Sequence, residues 1–167
     1  MRGLSLLLSV AGAIAGFLMW RGLTMIIPTD PAATSMAVRL GLGAASLLPA
    51  CCVLLSMILA QMAVRFWQGI FDPTAGKDGR FLRINQRVIS NTVEQLAILS
   101  PAMVALAAGS SAARMAEVLA LALVFALARL VFWAGYLISP VMRAPGMAAS
   151  FVVSTVVVGW ALAVWLA

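Results

Sequence analysis

The sequence predicts an all-α integral membrane protein with five transmembrane helices. Hydrophobic residues make up 64% of the chain and charged residues 10%, whereas soluble domains carry about 25% charged residues. The mean hydropathy is +1.10. A helix needs about 20 apolar residues to cross a bilayer core about 30 Å thick, because lipid offers no partner for exposed backbone groups. Several uncharged runs reach that length, and the remaining segments are too short for a soluble domain.

The five helices are predicted from these runs. Four runs contain no Asp, Glu, Lys or Arg, and a fifth is interrupted by Arg129 alone. The first run could also belong to a secretory signal, since Arg2 precedes it and small residues lie near its middle. Its apolar character continues to Trp20, however, which favours a retained helix. The predicted helices are residues 3–27, 37–66, 84–108, 112–138 and 147–166.

The basic residues predict the orientation in the membrane. The net charge is +6, and the connection between the second and third helices holds the densest basic group, Arg65, Lys77, Arg80 and Arg83. Loops rich in Lys and Arg stay in the cytoplasm, so we expect the N-terminus inside and the C-terminus outside. The charge therefore reports topology, and no nucleic-acid partner is expected. The many Arg, Ala and Gly residues favour a bacterial cytoplasmic membrane.

The composition also restricts the kinds of active site. The sequence contains no histidine, which excludes histidine zinc sites and histidine general bases, and no metal site is predicted. Cys51 and Cys52 are adjacent in an apolar helix, and we expect them to be small packing residues rather than a redox pair. Gly12 and Gly16 form a GxxxG spacing, which predicts close packing of the first helix against a neighbour.

Polar residues in the third predicted helix share one face. Arg87, Asn91, Glu94 and Gln95 stand at relative positions 0, 4, 7 and 8, and spacings of three and four residues return to the same side of a helix. A charge at the centre of a membrane helix costs on the order of 2.5 to 3.5 kcal/mol. These side chains therefore need a partner or a ligand.

The fourth predicted helix carries a matching stripe. Arg129, Phe132 and Tyr136 stand at relative positions 0, 3 and 7, and Arg143 follows the helix break at Pro140. The two stripes belong to consecutive helices joined by a tight turn, so we expect these helices to be antiparallel neighbours.

The depth of each residue in the bilayer predicts which side chains meet. At about 1.5 Å of rise per residue, Glu94 and Arg129 lie roughly 15 and 14 Å from the cytoplasmic ends of their helices. We expect them to form a buried ion pair that sets the register of the two helices. Arg87 and Tyr136 are level with each other near the cytoplasmic surface. The predicted pair of Glu94 and Arg129 does not account for this second polar layer.

These shallower residues predict a pocket that opens to the cytoplasm. Its donors suit an anionic ligand, because Arg offers a forked pair of N–H groups and Tyr a hydroxyl on a rigid ring. Arg143 could alternatively be an anchor at the membrane interface. The predicted pocket residues are Arg87, Asn91, Tyr136 and Arg143.

The two stripes resemble motifs of the MAPEG family, the membrane-associated proteins in eicosanoid and glutathione metabolism. The motif Arg-x-x-x-Asn-x-x-Glu of the family's second helix is present as Arg87, Asn91 and Glu94. The motif Ala-Arg-x-x-(Tyr/His)-x-x-x-Tyr is present as Ala128, Arg129, Phe132 and Tyr136, with Arg143 seven residues later. The resemblance covers about residues 37–167.

The resemblance implies a MAPEG-like four-helix transmembrane bundle in residues 31–167, with an additional N-terminal transmembrane helix in residues 1–30. It further implies a homotrimer that binds glutathione between subunits near the cytoplasmic face. The other implied partners are membrane lipids and a lipophilic small-molecule substrate. The additional helix would pack outside the bundle or recruit another membrane protein.

The implied activity is that of a glutathione-dependent membrane transferase or peroxidase acting on lipophilic electrophiles, with glutathione as co-substrate. Arg143 would be the catalytic residue, because a nearby cation lowers the pKa of a thiol and the thiolate is the nucleophile. The residues implied to bind glutathione, or to hold those that bind it, are Arg87, Asn91, Glu94, Arg129 and Tyr136.

Departures from the family pattern leave an alternative open. Phe132 stands where many members have Tyr or His, and Gln95 stands where some eicosanoid enzymes have Tyr, so fewer hydrogen bonds to glutathione are expected. Together with the additional helix, these departures fit a non-catalytic membrane lipid-binding or scaffold subunit with the same fold. A transporter component is a third interpretation, although the inverted repeat of many transporters is not visible.

Overall fold

The computed structural model describes residues 2–28, 31–72 and 74–166. Met1, Asp30 and Ala167, which bound the two predicted domains, lie outside the described residues. The described chain is helical and contains no β-strand. Its helices are α1 (Arg2–Ile26), α2 (Met36–Ala45), α3 (Leu48–Gln68), α4 (Arg80–Gly109), α5 (Met115–Ile138) and α6 (Ala144–Leu166), with 3₁₀ turns at Pro31–Thr34 and Ala112–Arg114.

Five segments of the described chain are long and apolar enough to cross a membrane. The helices α1, α4, α5 and α6 account for four of them, and α2 together with α3 makes the fifth. The prediction of an all-α integral membrane protein with five membrane-spanning segments is therefore confirmed. The four unbroken helices differ from their predicted bounds by no more than four residues at either end.

The prediction of one continuous helix over residues 37–66 is wrong, because the chain is interrupted between α2 and α3. Pro49 has no backbone N–H and cannot donate to the carbonyl of Ala45. The end of α2 is instead closed by the Ser46 hydroxyl, which donates to the carbonyl oxygen of Gly43 at 2.7 Å. Pro49 then lies in the first turn of α3, where a missing N–H is tolerated.

The helices α4, α5 and α6 form a bundle with α2 and α3, and α1 packs on its outer side. The most buried crossing is α5. Fully buried side chains at the centre include Leu99, Met103, Phe125 and Val157. Within the described chain, α1 lies against α6 and α5 and makes no extensive contact with α4. A groove therefore remains between α1 and α4.

The helices α1 and α6 run in the same direction and touch closely. A methyl group on Gly12 would overlap the backbone carbonyl of Pro145, and one on Gly16 would lie 3.3 Å from Cβ of Ala149. Both contacts advance by four residues on each helix, which makes the two helices parallel along this seam. The close packing predicted from the GxxxG spacing is confirmed, because only glycine allows backbones to come this near.

Polar contacts order the basic connection between α3 and α4. Gly69 ends α3 with a φ of 67°, a left-handed conformation that glycine adopts without strain. Arg65 forms an ion pair with Asp78 at 2.8 Å. The hydroxyl and N–H of Thr74 both donate to Oδ1 of Asp72, which lowers the pKa of that carboxyl. These contacts help to set where α4 begins, and α4 carries the polar stripe.

The adjacent cysteines Cys51 and Cys52 are free and exposed. The prediction that they are small packing residues is therefore wrong, since neither side chain packs in the interior of this chain. Ala50 and Val53 face the core of the bundle, and the two cysteines occupy the other side of α3.

Candidate functional site

A cavity of about 630 Å³ lies between α1, α4, α5 and α6. Pockets that bind small molecules measure roughly 300 to 1,000 Å³, so this one is large enough for a ligand the size of a tripeptide. The residues that form its polar side come from α4, from α5 and from the turn before α6. They are Arg87, Ser90, Asn91, Glu94, Tyr136 and Arg143. The structure thus places five of the six residues singled out from the sequence at one cavity.

An apolar surface faces the same cavity. Met147, Ala148 and Phe151 of α6 form it, next to the polar side chains. One ligand can therefore be held by hydrogen bonds at one end and by apolar contacts at the other. These three residues were not predicted from the sequence, because α6 carries no charged residue and its apolar residues are distributed around the whole helix.

The additional helix also reaches the cavity. Ser5 and Ser9 of α1 line it together with the polar residues of α4 and α5. Neither serine was predicted from the sequence, although a signal was present. Ser5, Ser9, Gly12 and Gly16 are separated by four, three and four residues, a spacing that puts them on one face of a helix.

Arg129 lies behind the cavity wall in the interior of the bundle, where its side chain is fully buried. Its Nη2 donates to Oγ1 of Thr92 at 2.8 Å and to Oδ1 of Asn91 at 3.0 Å. Its Nη1 donates to Oγ of Ser150 at 3.2 Å. The guanidinium also lies 4.1 Å from the centre of the Phe132 ring. Arg129 therefore joins α4, α5 and α6 through uncharged partners.

The predicted ion pair between Glu94 and Arg129 is wrong. Glu94 is exposed at the cavity, and the ion pair found in the described chain is the one between Arg65 and Asp78. Each residue turns an α-helix by about 100°, so Glu94 lies about 200° around α4 from Thr92. Because Thr92 faces Arg129, the Glu94 carboxylate points away from it although both groups have a similar depth.

The contact with Arg129 orients the amide of Asn91. Arginine has donors only, so the atom of Asn91 that faces it has to be the acceptor Oδ1. The Nδ2 group of Asn91 has no partner among the described residues and remains available to a ligand. Arg129 is thus a positioning residue for the cavity rather than a part of its lining.

A row of ring contacts holds Tyr136 and Arg143 at the cavity. The rings of Phe132 and Tyr136 have centroids 5.8 Å apart, and the guanidinium of Arg143 lies 4.6 Å from the centre of the Tyr136 ring. Phe132 covers Arg129 on its other side. This row of contacts therefore extends from the buried guanidinium of Arg129 to the exposed one of Arg143. The N–H groups of Arg143 have no hydrogen-bond acceptor within the described chain and can meet a ligand.

Two glycines bring the start of α6 against α5. A Cβ on Gly146 would overlap the backbone nitrogen of Phe132, and one on Gly135 would overlap the carbonyl oxygen of Met142. The two backbones can approach this closely only where no side chain intervenes. Arg143 follows Met142 directly, so this junction is what carries its guanidinium over Tyr136.

The last residue of the predicted α4 stripe does not line the cavity. Gln95 is buried, its Nε2 donates to Sδ of Met147 at 3.8 Å, and its Oε1 has no partner in the described chain. Among the described residues there is also no group of three or more His, Cys, Asp or Glu that could hold a metal ion. The polar groups at the cavity suit an organic ligand with negative charge.

The comparison with protein families agrees with the motifs in α4 and α5. The model of the MAPEG family matches residues 42–163, a region that runs from α2 into α6 and contains both motifs and Arg143. The helix α1 precedes the matched region. Searches of curated proteins and of solved structures found no significant match. Because the family model covers well over half of the chain, this membrane protein belongs to the MAPEG family of eicosanoid and glutathione metabolism.

Proposed function

We propose that the protein is a glutathione-dependent membrane transferase or peroxidase that acts on lipophilic electrophiles. The observation that carries this proposal is the cavity, at which Arg87, Asn91, Tyr136 and Arg143 offer donors on one surface. Glutathione is a tripeptide with two carboxylates, and the forked N–H groups of arginine match carboxylates. Membership of a family associated with glutathione use supports the same ligand.

The charges at the cavity suit this ligand. Arg87 and Arg143 contribute positive charge and Glu94 contributes negative charge. At neutral pH glutathione carries two carboxylates and one ammonium group, so its net charge is opposite to that of the site. The carboxylate of Glu94 can accept hydrogen bonds from the ammonium group, which the arginines cannot do because they have donors only.

Arg143 is the residue that we assign to the reacting thiol. A cation near the sulfur lowers the pKa of the thiol, and the thiolate formed is the nucleophile. In transfer, the sulfur forms a bond to an electrophilic carbon while the leaving group departs with its bonding electrons. In peroxide reduction, the thiolate sulfur attacks the terminal oxygen of the hydroperoxide. The O–O bond breaks, which gives a sulfenic acid and, after protonation, an alcohol. A second glutathione then converts the sulfenic acid into a disulfide and water.

The proposed assembly is a homotrimer in a bacterial cytoplasmic membrane, with the N-terminus inside. The basic connection between α3 and α4 supports this orientation, because such loops stay in the cytoplasm. Exposed apolar side chains on α3 suit contact with lipid or with a neighbouring subunit. They include Leu55, Leu59, Met62, Phe66 and Trp67.

A glutathione titration tests the binding part of this proposal. The full-length protein in detergent should bind glutathione at millimolar concentration or tighter, as measured by calorimetry. Arg87→Ala should weaken the binding roughly 10- to 100-fold, because a hydrogen bond to a charged group contributes about 1.5 to 3 kcal/mol. Arg21→Ala removes the same charge from an exposed site at the far end of α1 and should bind normally. A wild-type protein that binds no glutathione would contradict the proposal.

The rate of conjugation to an activated aryl halide tests the role of Arg143. In Arg143→Ala we expect kcat to fall roughly 100-fold, in line with the loss of one donor to a developing anion. The half-maximal activity should also move to higher pH, because the thiol loses the cation that lowers its pKa. Arg143→Lys keeps a positive charge, so the pKa of the thiol should stay partly lowered. Its half-maximal activity should lie at a pH between those of wild type and Arg143→Ala. Equal rates and pH profiles in wild type and Arg143→Ala would exclude this role.

A second candidate function is a non-catalytic lipid-binding or scaffold subunit with the same fold. The observation that favours it is Phe132, which faces the cavity with a ring that has no hydroxyl to offer a ligand. The two functions predict different outcomes in one experiment. A wild-type protein that binds glutathione but conjugates none of several aryl halides and reduces no hydroperoxide would favour the scaffold.

A further inference from the structure

The N-terminal helix extends beyond the start of α6. Gly12 packs against Pro145, the second residue of α6. Ser9 and Ser5 precede Gly12 by three and seven residues on the same helix face, or by about 4.5 and 10.5 Å along the axis. Since α1 and α6 are parallel, these two serines lie beside the turn that carries Arg143 rather than beside α6 itself. This geometry explains why both reach the cavity.

The serines occupy the inner face of a helix whose outer face is apolar. Leu4, Leu6, Leu7 and Val10 are more than half exposed, as expected for side chains in contact with lipid tails. Ser5 and Ser9 are half-buried on the cavity side. The polar part of α1 is therefore directed toward the polar residues of α4 and α5 and away from the surrounding lipid.

The hydroxyl of Ser9 makes no hydrogen bond to any of the described residues. Serine in a helix commonly donates to the carbonyl four residues earlier. In the described chain, no such bond is made by Ser9, Ser90 or Ser100. Ser9 and Ser90 line the cavity. The carbonyl four residues before Ser5 belongs to Met1, which lies outside the described residues. The helical hydroxyls that do donate in this way are those of Thr24, Ser56, Thr92, Ser150, Ser154 and Thr155.

We propose that α1 is a wall of the ligand-binding cavity and that the hydroxyls of Ser5 and Ser9 hydrogen-bond the ligand. The identity of the ligand rests on the proposed function above. A hydroxyl can both donate and accept, whereas the arginines across the cavity donate only. The two serines can therefore accept from an amide N–H or ammonium group of a peptide-like anion. The family match begins at residue 42, so this wall is an addition to the region that defines the family.

Comparing threonine with valine variants isolates the effect of the hydroxyls, because the two introduced side chains have nearly the same shape. The full-length double variants Ser5→Thr/Ser9→Thr and Ser5→Val/Ser9→Val are titrated with glutathione in detergent. We expect the threonine variant to bind as wild type does. The valine variant should bind roughly fivefold or more weakly, since each neutral hydrogen bond contributes about 0.5 to 1.5 kcal/mol. The melting temperatures without ligand should agree.

Ser56 provides the matched control. It lies on the exposed side of α3 and donates to the carbonyl of Cys52 at 2.8 Å, so Ser56→Val and Ser56→Thr should leave the affinity unchanged. Equal affinities of the double threonine and double valine variants, whether normal or weakened, would overturn the contact with the hydroxyls and leave the proposed function intact. A wild-type protein that binds no glutathione would overturn both proposals.

Discussion

Arg129→Ala is expected to destabilise the protein by about 3 to 5 kcal/mol. The substitution opens a cavity at the centre of the bundle, and large-to-small changes there cost about 2 to 5 kcal/mol. It also removes the hydrogen bond from the guanidinium to Oδ1 of the half-buried Asn91, and a hydrogen bond to a charged group contributes about 1.5 to 3 kcal/mol. Thr92 and Ser150 are less affected, because their hydroxyls donate to the carbonyls of Val88 and Gly146. The measurement is unfolding by denaturant in detergent micelles.

The same substitution should weaken glutathione binding, because the amide of Asn91 is then free to rotate its donor away from the cavity. Arg129→Lys keeps the charge but cannot reach three helices at once, so we expect an intermediate loss of stability. Arg114→Ala, at an exposed site beside Trp160, should cost less than 1 kcal/mol, as surface changes usually do. Wild-type stability in Arg129→Ala would contradict the role of this residue as the link between α4, α5 and α6.

Gly146→Val is expected to prevent α6 from docking on α5. A Cβ at this position would overlap the backbone nitrogen of Phe132 and the carbonyl oxygen of Ala128. Backbone atoms inside a helix cannot move aside as a flexible side chain can, so the loss should exceed the ~1 to 3 kcal/mol typical of overpacking. Little folded, monodisperse protein should be recovered in size-exclusion chromatography.

Gly159→Val is the control for that prediction. It places the same side chain on the same helix, at a glycine around which a Cβ would meet nothing within 4 Å. We expect this variant to fold and to melt near the wild-type temperature. Gly146→Ala should already be destabilised, because the first carbon of the side chain is the one that overlaps. Normal recovery of Gly146→Val would mean that α5 and α6 pack less closely at this junction.

The losses of stability expected for Arg129→Ala and Gly146→Val concern the same packed unit, formed by α4, α5 and α6. Arg129 ties α5 to α4 and α6 from the inside, and Gly146 lets the start of α6 reach α5. Arg143 and Tyr136 lie at the open end of this unit, so their geometry at the cavity depends on both. Changes at residues that do not line the cavity can therefore alter ligand binding.

Hydropathy was sufficient to predict the five membrane-spanning segments, because a bilayer requires long apolar helices and tolerates few alternatives. Periodicity was sufficient to place Arg87, Asn91 and Glu94 on one face of α4, since that depends on one helix alone. The spacing of Gly12 and Gly16 likewise predicted a close seam without naming its partner. Each of these features is local, so it can be read along the chain.

The features that depend on how helices rotate against one another were not accessible in this way. Depth along the axis placed Glu94 level with Arg129, but the rotation of α4 directs Thr92 and Asn91 toward Arg129 and turns Glu94 to the cavity. The contribution of Ser5 and Ser9 depends on where α1 docks, which follows from its fit at Pro145. Sequence spacing gives the face of each helix, and only the packing of side chains in three dimensions gives the neighbour that this face meets.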